Sequence, residues 1–391
     1  MTTTDSPART HDDAVAAATA LVPTLAEHAR SSEIARQPAD EVIDAVRRAG
    51  LFDILTPTHW GGAGLDLDSL FEVGVILGEA DASAAWITTF YIEHNWMFCQ
   101  FPESFQQELY GDRSYVLAPG MISPAGSATP VDGGYRLDGR WQWGTGIVHA
   151  EWVIAGAIDR ASGKPRAAFF ALPIDDVEVL DTWHTDGMAG TGSHDVVIRD
   201  AFVPEDRFVD IPAMMMATTP GSAIHHEPLY STPMAPILSF TAGAPALGQA
   251  RFAVREYAAQ LQRRYDQITL ERQADNSSRQ VRLARADMIV RSAEALMRSV
   301  LADVMERRKN ADEHRRVGWT ASIAHAVGMC RDAVSEICEA AGASSHFLDN
   351  PLQRVRRDLN TISCHTVFDL DQRYRSLGRS LVGLRSESIW H

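Results

Sequence analysis

Residues 140–157, RWQWGTGIVHAEWVIAGA, read as a β-strand, a kink and a second strand. Tryptophan and β-branched side chains suit the pleated, half-buried surface of a sheet, and they flank an interruption made of Gly144, Thr145 and Gly146. Glycine weakens a strand unless the backbone has to bend or another group comes close. The pattern therefore predicts a close approach at Thr145, with His149 just beyond the kink.

The surroundings of this stretch have the same texture. From about Tyr115 to Phe208, short β-rich runs (GYRLDGRWQW, EWVIAGAI, RAAFFALPI, VEVLDTW, SHDVVIRDAFVP) are separated by Gly, Pro and Asp at the spacing of a barrel or sandwich. Upstream the sequence is helical. DDAVAAATALVPTLAEHARSSEIAR repeats apolar residues every three or four positions, and PADEVIDAVRRAGLFDI opens with Pro38 and acidic residues and closes at Gly50. The stretch 58–101 begins with a glycine loop and runs on as a long apolar segment, as a buried helix does. Downstream of a bridge containing Met214, Met215 and Met216, read as packing, periodicity predicts helices over 235–263, 277–309, 317–342 and 364–385. The expected fold class is α+β: an N-terminal helical domain (1–113), a central β-barrel domain (114–212) and a C-terminal four-helix bundle (213–391).

Composition removes several function classes. The 391 residues are 45% hydrophobic and 22% charged, which is globular material with room for more than one core. A net charge of -15 argues against nucleic acid, whose binding needs a basic surface to release counterions. The run RRKNADEHRR, 307–316, mixes both signs and reads as a solvated helix end. Cys99, Cys330, Cys338 and Cys364 are scattered, so neither a zinc site nor a disulfide framework is expected, and no metal. With no signal pattern and no apolar run of membrane-spanning length, the expectation is a cytoplasmic protein that binds no membrane.

Three segments carry a resemblance: MISPAGSATP (121–130), GYRLDGRWQWGTG (134–146) and HTDGMAGTGSHDVVIRDAFVPEDRF (184–208). Their series resembles the flavin-holding β-domain of the acyl-CoA dehydrogenase superfamily, over essentially the whole chain. The resemblance implies flavin contacts for Ser123 in the first loop, Trp143 and Thr145 in the second, and Thr191, Gly192 and Ser193 in the third. Trp183 is expected either to stack at the flavin edge or to fill the core. Arg263 and Arg373 are candidates for the flavin phosphate end, since a guanidinium fork can hold a pair of phosphate oxygens.

Acyl-CoA dehydrogenases of this kind use a carboxylate base that follows an Arg-Asp pair. Here Arg357-Asp358 is present, but His365-Thr366 stands where tyrosine and glutamate are expected. Glu256 lies in the region where an alternative base would sit. Together with EHNW at 93–96 and DTWHTDGMAGTGSHD at 181–195, the segment RDLNTISCHTVFDLDQRYRSLGR instead looks like the two-component, reduced-flavin-dependent monooxygenases. That branch implies reduced FMN or FAD delivered by a separate flavin reductase, dioxygen as co-substrate, a C4a-hydroperoxyflavin and a hydrophobic aromatic, phenolic substrate. The bundle helices would leave apolar stripes exposed in a lone subunit, so a homotetramer is expected. The chain shows no G-x-G-x-x-G strand–helix unit for a nicotinamide, which fits a separate reductase.

On this reading Thr145 accepts or relays a hydrogen bond beside flavin N5. His365 is the general acid/base, because an unperturbed imidazole titrates near working pH, and His94 supports it. His149 is expected to close a hydrogen bond between strands. An acyl-CoA dehydrogenase with tightly held FAD, an amino-sugar N-oxygenase and a catalytically silent relative are the alternatives left open.

Overall fold

The computed structural model describes residues 9–161, 163–266, 268 and 270–388. The chain begins with α1 (His11–Ala35), whose Thr10 and Asp13 cap each other reciprocally and whose end is turned by Arg36 at φ 56°. It continues through α2 (Asp40–Arg48), α3 (Leu67–Gly78), α4 (Ala82–Phe98) and α5 (Glu103–Tyr110). Asp81 caps α4 by accepting from the Ala84 amide at 2.8 Å. All residues of α4 are buried, as its continuous apolar sequence requires.

The strands are β1 (Gly120–Val131), β2 (Gly134–Gly144), β3 (Trp152–Asp159), β4 (Arg166–Pro173), β5 (Glu178–Leu180), β6 (His194–Pro204) and β7 (Phe208–Asp210). They form one sheet in the order β5-β6-β2-β1-β3-β4-β7, antiparallel except for the β1–β3 pair. Among the described residues the edge strands β5 and β7 do not pair with each other, so the expected barrel is an open sheet. It is nevertheless curled: Tyr135 of β2 lies 5.2 Å from Phe170 of β4 and 5.3 Å from Phe208 of β7, ring to ring. Leu137, Trp141, Val153, Phe170 and Val196 fill the concave side. Ile154, Phe169 and Ala171 face the other way and join the core of the helices.

The remaining helices are α6 (Ile211–Met215), α7 (Pro220–Ile224), α8 (Met234–Arg263), α9 (Ser277–Arg307), α10 (Glu313–Ala341), α11 (Pro351–Ser363) and α12 (Leu370–Leu381). The first three expected bundle helices correspond to α8, α9 and α10. The fourth, expected over 364–385, begins later, because residues 364–369 form a break. Helix α11 was not anticipated, although Asn350-Pro351 signals its start: Asn350 caps it through the Leu352 amide at 3.1 Å and proline occupies the first turn. Asp369 caps α12. Met214 and Met215 are packed, whereas Met216 is 48% exposed. The mixed-charge run 307–316 is also not wholly solvated. Arg308 is buried and binds both carboxylate oxygens of Asp66 at 2.9 Å, tying the α9–α10 turn to the start of α3.

Candidate active site

One wall of the site is a face of α4. Trp86, Phe90 and His94 are spaced four apart and stack along the helix, with ring centroids 4.7 Å and 5.5 Å apart. The break between α11 and α12 brings His365 over them, 5.5 Å from Trp86 and 6.2 Å from Phe90. Phe90 therefore sits between the two histidines. Their hydrogen bonds assign opposite tautomers. Nδ1 of His94 donates to the Ala118 carbonyl at 2.6 Å, leaving Nε2 as an acceptor. Nδ1 of His365 accepts from the Val367 amide at 3.4 Å, which puts the ring proton on Nε2. Burial holds both imidazoles down to about 4. Both are thus neutral at neutral pH, not poised near their ordinary value as the sequence suggested.

The other wall is built from the turn after β2 and the loop before β6. Thr191 donates to the Met188 carbonyl at 2.8 Å, the only role open to a hydroxyl facing a carbonyl. Ser193, 2.7 Å away, must then donate to Thr191, and Thr145 at 3.1 Å must donate to Ser193, since each hydroxyl has one proton. The indole of Trp86 donates to Thr145 at 3.4 Å. The chain of bonds leaves the Thr145 oxygen an acceptor toward any further partner. Thr145 and His365 thus touch the same tryptophan from two sides.

The loop is fixed from behind. Met188 adopts φ 55°, its carbonyl also accepts from Trp183 Nε1 at 3.0 Å, and its amide donates to Asp358 Oδ1 of α11 at 2.6 Å. Burial, with a contribution from Asp81, pushes the Asp358 carboxyl up to about 7. Arg357 bonds the Asp186 carbonyl beside it. Gly187 lets the loop lie directly on α11, where a Cβ would come 2.2 Å from the Arg357 carbonyl.

The structure brings together Thr145, Thr191, Gly192 and Ser193 with Trp183 behind them, and His94 with His365. Trp143, at φ 67°, leads into the turn with its side chain 61% exposed. Ser123 lies exposed where β1 shifts register between Met121 and Gly126. Gly146 has a reason other than access for a ring: at φ 70° it abuts Tyr91 of α4, whose hydroxyl bonds its carbonyl at 2.5 Å. His149 joins no strands. Its Nε2 meets Asp40 of α2 at 2.8 Å. Arg263 is exposed at the end of α8 and paired with Glu256 at 3.1 Å, so Glu256 is committed to that pair and to Gln260. Arg373 is 1% exposed and bonds Gln372, a placement that presents no phosphate-binding surface in the single chain. Trp86, Phe90, Glu93 and Asp358 were not anticipated as site residues. The four-residue spacing of Trp86, Phe90 and His94 was the signal available.

The residues present fit a flavin. An acceptor oxygen at Thr145 suits a ring N–H, and the aromatic edges of Trp86 and Phe90 suit a flat, weakly charged ring. Thr145, Ser193 and Gly192 would hold its edge, and Trp143 would cover it. No group of three or more His, Cys, Asp or Glu among the described residues is placed to hold a metal ion. No helix among them is long and apolar enough to cross a membrane.

Residues 240–370, from α8 to the first residue of α12, match the acyl-CoA dehydrogenase C-terminal domain, which gives the class of fold. Over the whole length the chain is similar to a pigment production hydroxylase of Rhodococcus sp. (strain ATCC 21145), 33% identical over 93% of this chain and 95% of the relative. It is also similar to the oxygenase component of an FADH(2)-dependent resorcinol hydroxylase of Rhizobium sp. (strain MTP-10005), 30% identical over 91% and 90%. The solved 3-HSA hydroxylase from Rhodococcus sp. RHA1 superposes with a TM-score of 0.92 at 27% identity, covering 98% of this chain and 100% of that one. The chain belongs to the family of flavin-dependent monooxygenase oxygenase components built on the acyl-CoA dehydrogenase fold.

Proposed function

We propose that the chain is the oxygenase component of a two-component monooxygenase, taking reduced FMN or FAD from a separate reductase and using dioxygen to hydroxylate a hydrophobic, phenolic aromatic. The observation that carries this reading is the contact of Thr145 and His365 with the same indole, that of Trp86. Reduced flavin, when bound, supplies the electrons that activate dioxygen. Thr145, fixed as an acceptor, holds a ring N–H in place. Trp86, Phe90 and Phe368 pack their rings around the half-buried His365 and limit its contact with water. His365 offers an N–H at Nε2, and His94 offers a lone pair at Nε2, so the pair can give a proton at one end of the Phe90 ring and accept one at the other. Relatives named as resorcinol and p-hydroxyphenylacetate hydroxylases support a phenolic substrate.

Arg263 is the proposed cation for the flavin phosphate end. The exposed apolar residues Val281 and Met288 on α9, and Tyr374, Leu381 and Val382 at α12, are the proposed contact between copies in a homotetramer. The pairing of Glu256 with Arg263 speaks against a dehydrogenase base at that position. The test supplies reduced flavin, isotopically labelled dioxygen and a panel of simple phenols. The expected product carries one labelled oxygen on the ring. Bleaching of bound oxidised flavin by an acyl-CoA thioester, with no labelled product, would overturn the reading.

A further inference from the structure

Glu93 of α4 is fully buried, and neither of its carboxyl oxygens has a hydrogen-bond partner among the described residues. An unpartnered acid in a core is costly, and a position that only needed filling would be served better by leucine or methionine. Its Oε2 lies 3.8 Å from Nε2 of His94, too far for a hydrogen bond but within strong Coulombic reach. That nitrogen is the one left as an acceptor by the Ala118 bond. Gly120 keeps it clear, since a Cβ there would lie 2.7 Å from Nε2. Two nearby donors, Trp96 Nε1 of α4 and Gln100 Nε2 just past the end of that helix, are likewise buried without hydrogen-bond partners among the described residues. His94 is the titratable group facing Glu93. The segment leading into β1 sets the Ala118 carbonyl and Gly120 against the imidazole, and among the described residues no charged side chain of another element is paired with either group.

We propose that Glu93 is a positioning residue that sets the basicity of His94 toward the hydroxyl proton of the aromatic substrate. The inference rests on the phenol-hydroxylating reading above. While the carboxyl is neutral it adds no charge, and Nε2 stays a weak base. Once ionised it stabilises the imidazolium beside it. The substrate O–H bond then breaks and an N–H bond forms at Nε2 of His94. The electron pair remains on the phenolate oxygen, and nothing is oxidised or reduced. Burial pushes the Glu93 carboxyl up to about 8, so the change in basicity falls just above neutral pH.

The experiment uses the full chain without flavin, saturated with 4-nitrophenol, and follows the absorbance of bound nitrophenolate across neutral to alkaline pH. The wild type is expected to show an upper step near the Glu93 titration. Glu93→Gln should lose that step, with the ionised-to-neutral ratio of the bound phenol about tenfold lower on the alkaline side. Glu93→Asp should keep a displaced step, and His94→Gln should lose it. Circular dichroism and melting curves verify that each variant is folded. A Glu93→Gln titration superimposable on that of the wild type, or, should that variant not fold, a Glu93→Asp titration unchanged from it, overturns the role of Glu93 and leaves the phenol reading standing. A wild type that neither binds 4-nitrophenol nor hydroxylates any phenol overturns both.

Discussion

The two walls of the site handle their polar groups in opposite ways. On the sheet side, Thr145, Ser193, Thr191, the Met188 peptide, Trp183 and Asp358 form a connected chain in which each proton has one direction. On the helix side, the Glu93 carboxyl and the Trp96 indole N–H have no hydrogen-bond partners among the described residues, and His94 and His365 each engage one nitrogen and leave the other. A satisfied network fixes geometry, whereas buried groups left without partners mark where something else is to be met. On the proposed function, the difference assigns holding to the sheet wall and reaction to the helix wall.

The sharpest way to break this contrast is at His365. His365→Ala should lower product formation by about 10²–10⁴-fold, the range for loss of a general acid/base, while reduced-flavin affinity, measured by anaerobic fluorescence titration, stays within about twofold. Equal losses in both would mean that the helix wall also holds the cofactor. The next largest effect is expected behind the sheet wall. Asp358→Ala leaves the buried Met188 amide unpaired and should cost about 2–3 kcal/mol in urea unfolding, together with weaker flavin binding as the loop loosens.

These two residues also show what the sequence could and could not reveal. His365 was legible because it stands in a recognisable segment after Arg357-Asp358, and Thr145 because two glycines interrupt a tryptophan-rich strand. Asp358 was visible as a motif but not as an anchor, since it grips a backbone amide 170 positions away, and a peptide N–H leaves no mark in a sequence. Trp86 and Phe90 were hidden for another reason. Helix α4 is buried all round, so its site-facing stripe does not stand out against apolar residues elsewhere on the same helix. Arg373 lies buried at 1% exposure, which an arginine in a sequence does not announce. The parallel β1–β3 pair joins strands that are not sequence neighbours, and nothing in either strand's alternation announces it.

A pH series sharpens the comparison on the helix side. The folded-state value of His94, about 4, lies below its unfolded value of about 6.5. Stability from the neutral imidazole is therefore fully present above the unfolded value and is lost as pH falls through about 4. Between pH 7 and pH 5 the wild type should lose about 2 kcal/mol more than His94→Gln in urea unfolding. Identical losses would show that His94 is solvated. On the sheet side, Thr191→Val removes the donor that orients the chain, so Thr145 regains a free proton and accepts or donates equally. Its preference for reduced over oxidised flavin should fall by up to about tenfold, the worth of one hydrogen bond, as read from the midpoint potential of the bound cofactor.

The smallest effect is expected at Glu256, and it tests the chemistry most economically. Its carboxylate is 20% exposed and shares Arg263, itself 66% exposed, across 3.1 Å. An ion pair this open contributes about 0–1 kcal/mol, so Glu256→Gln should barely move the unfolding curve and should leave hydroxylation within about twofold. A residue that abstracts a proton behaves differently, because its removal lowers turnover by orders of magnitude while leaving the fold intact. A collapse of turnover in Glu256→Gln with unchanged melting would move the reacting group from the α4 wall to α8. The contrast between a holding sheet and a reacting helix would then fail, since the base would lie on neither wall.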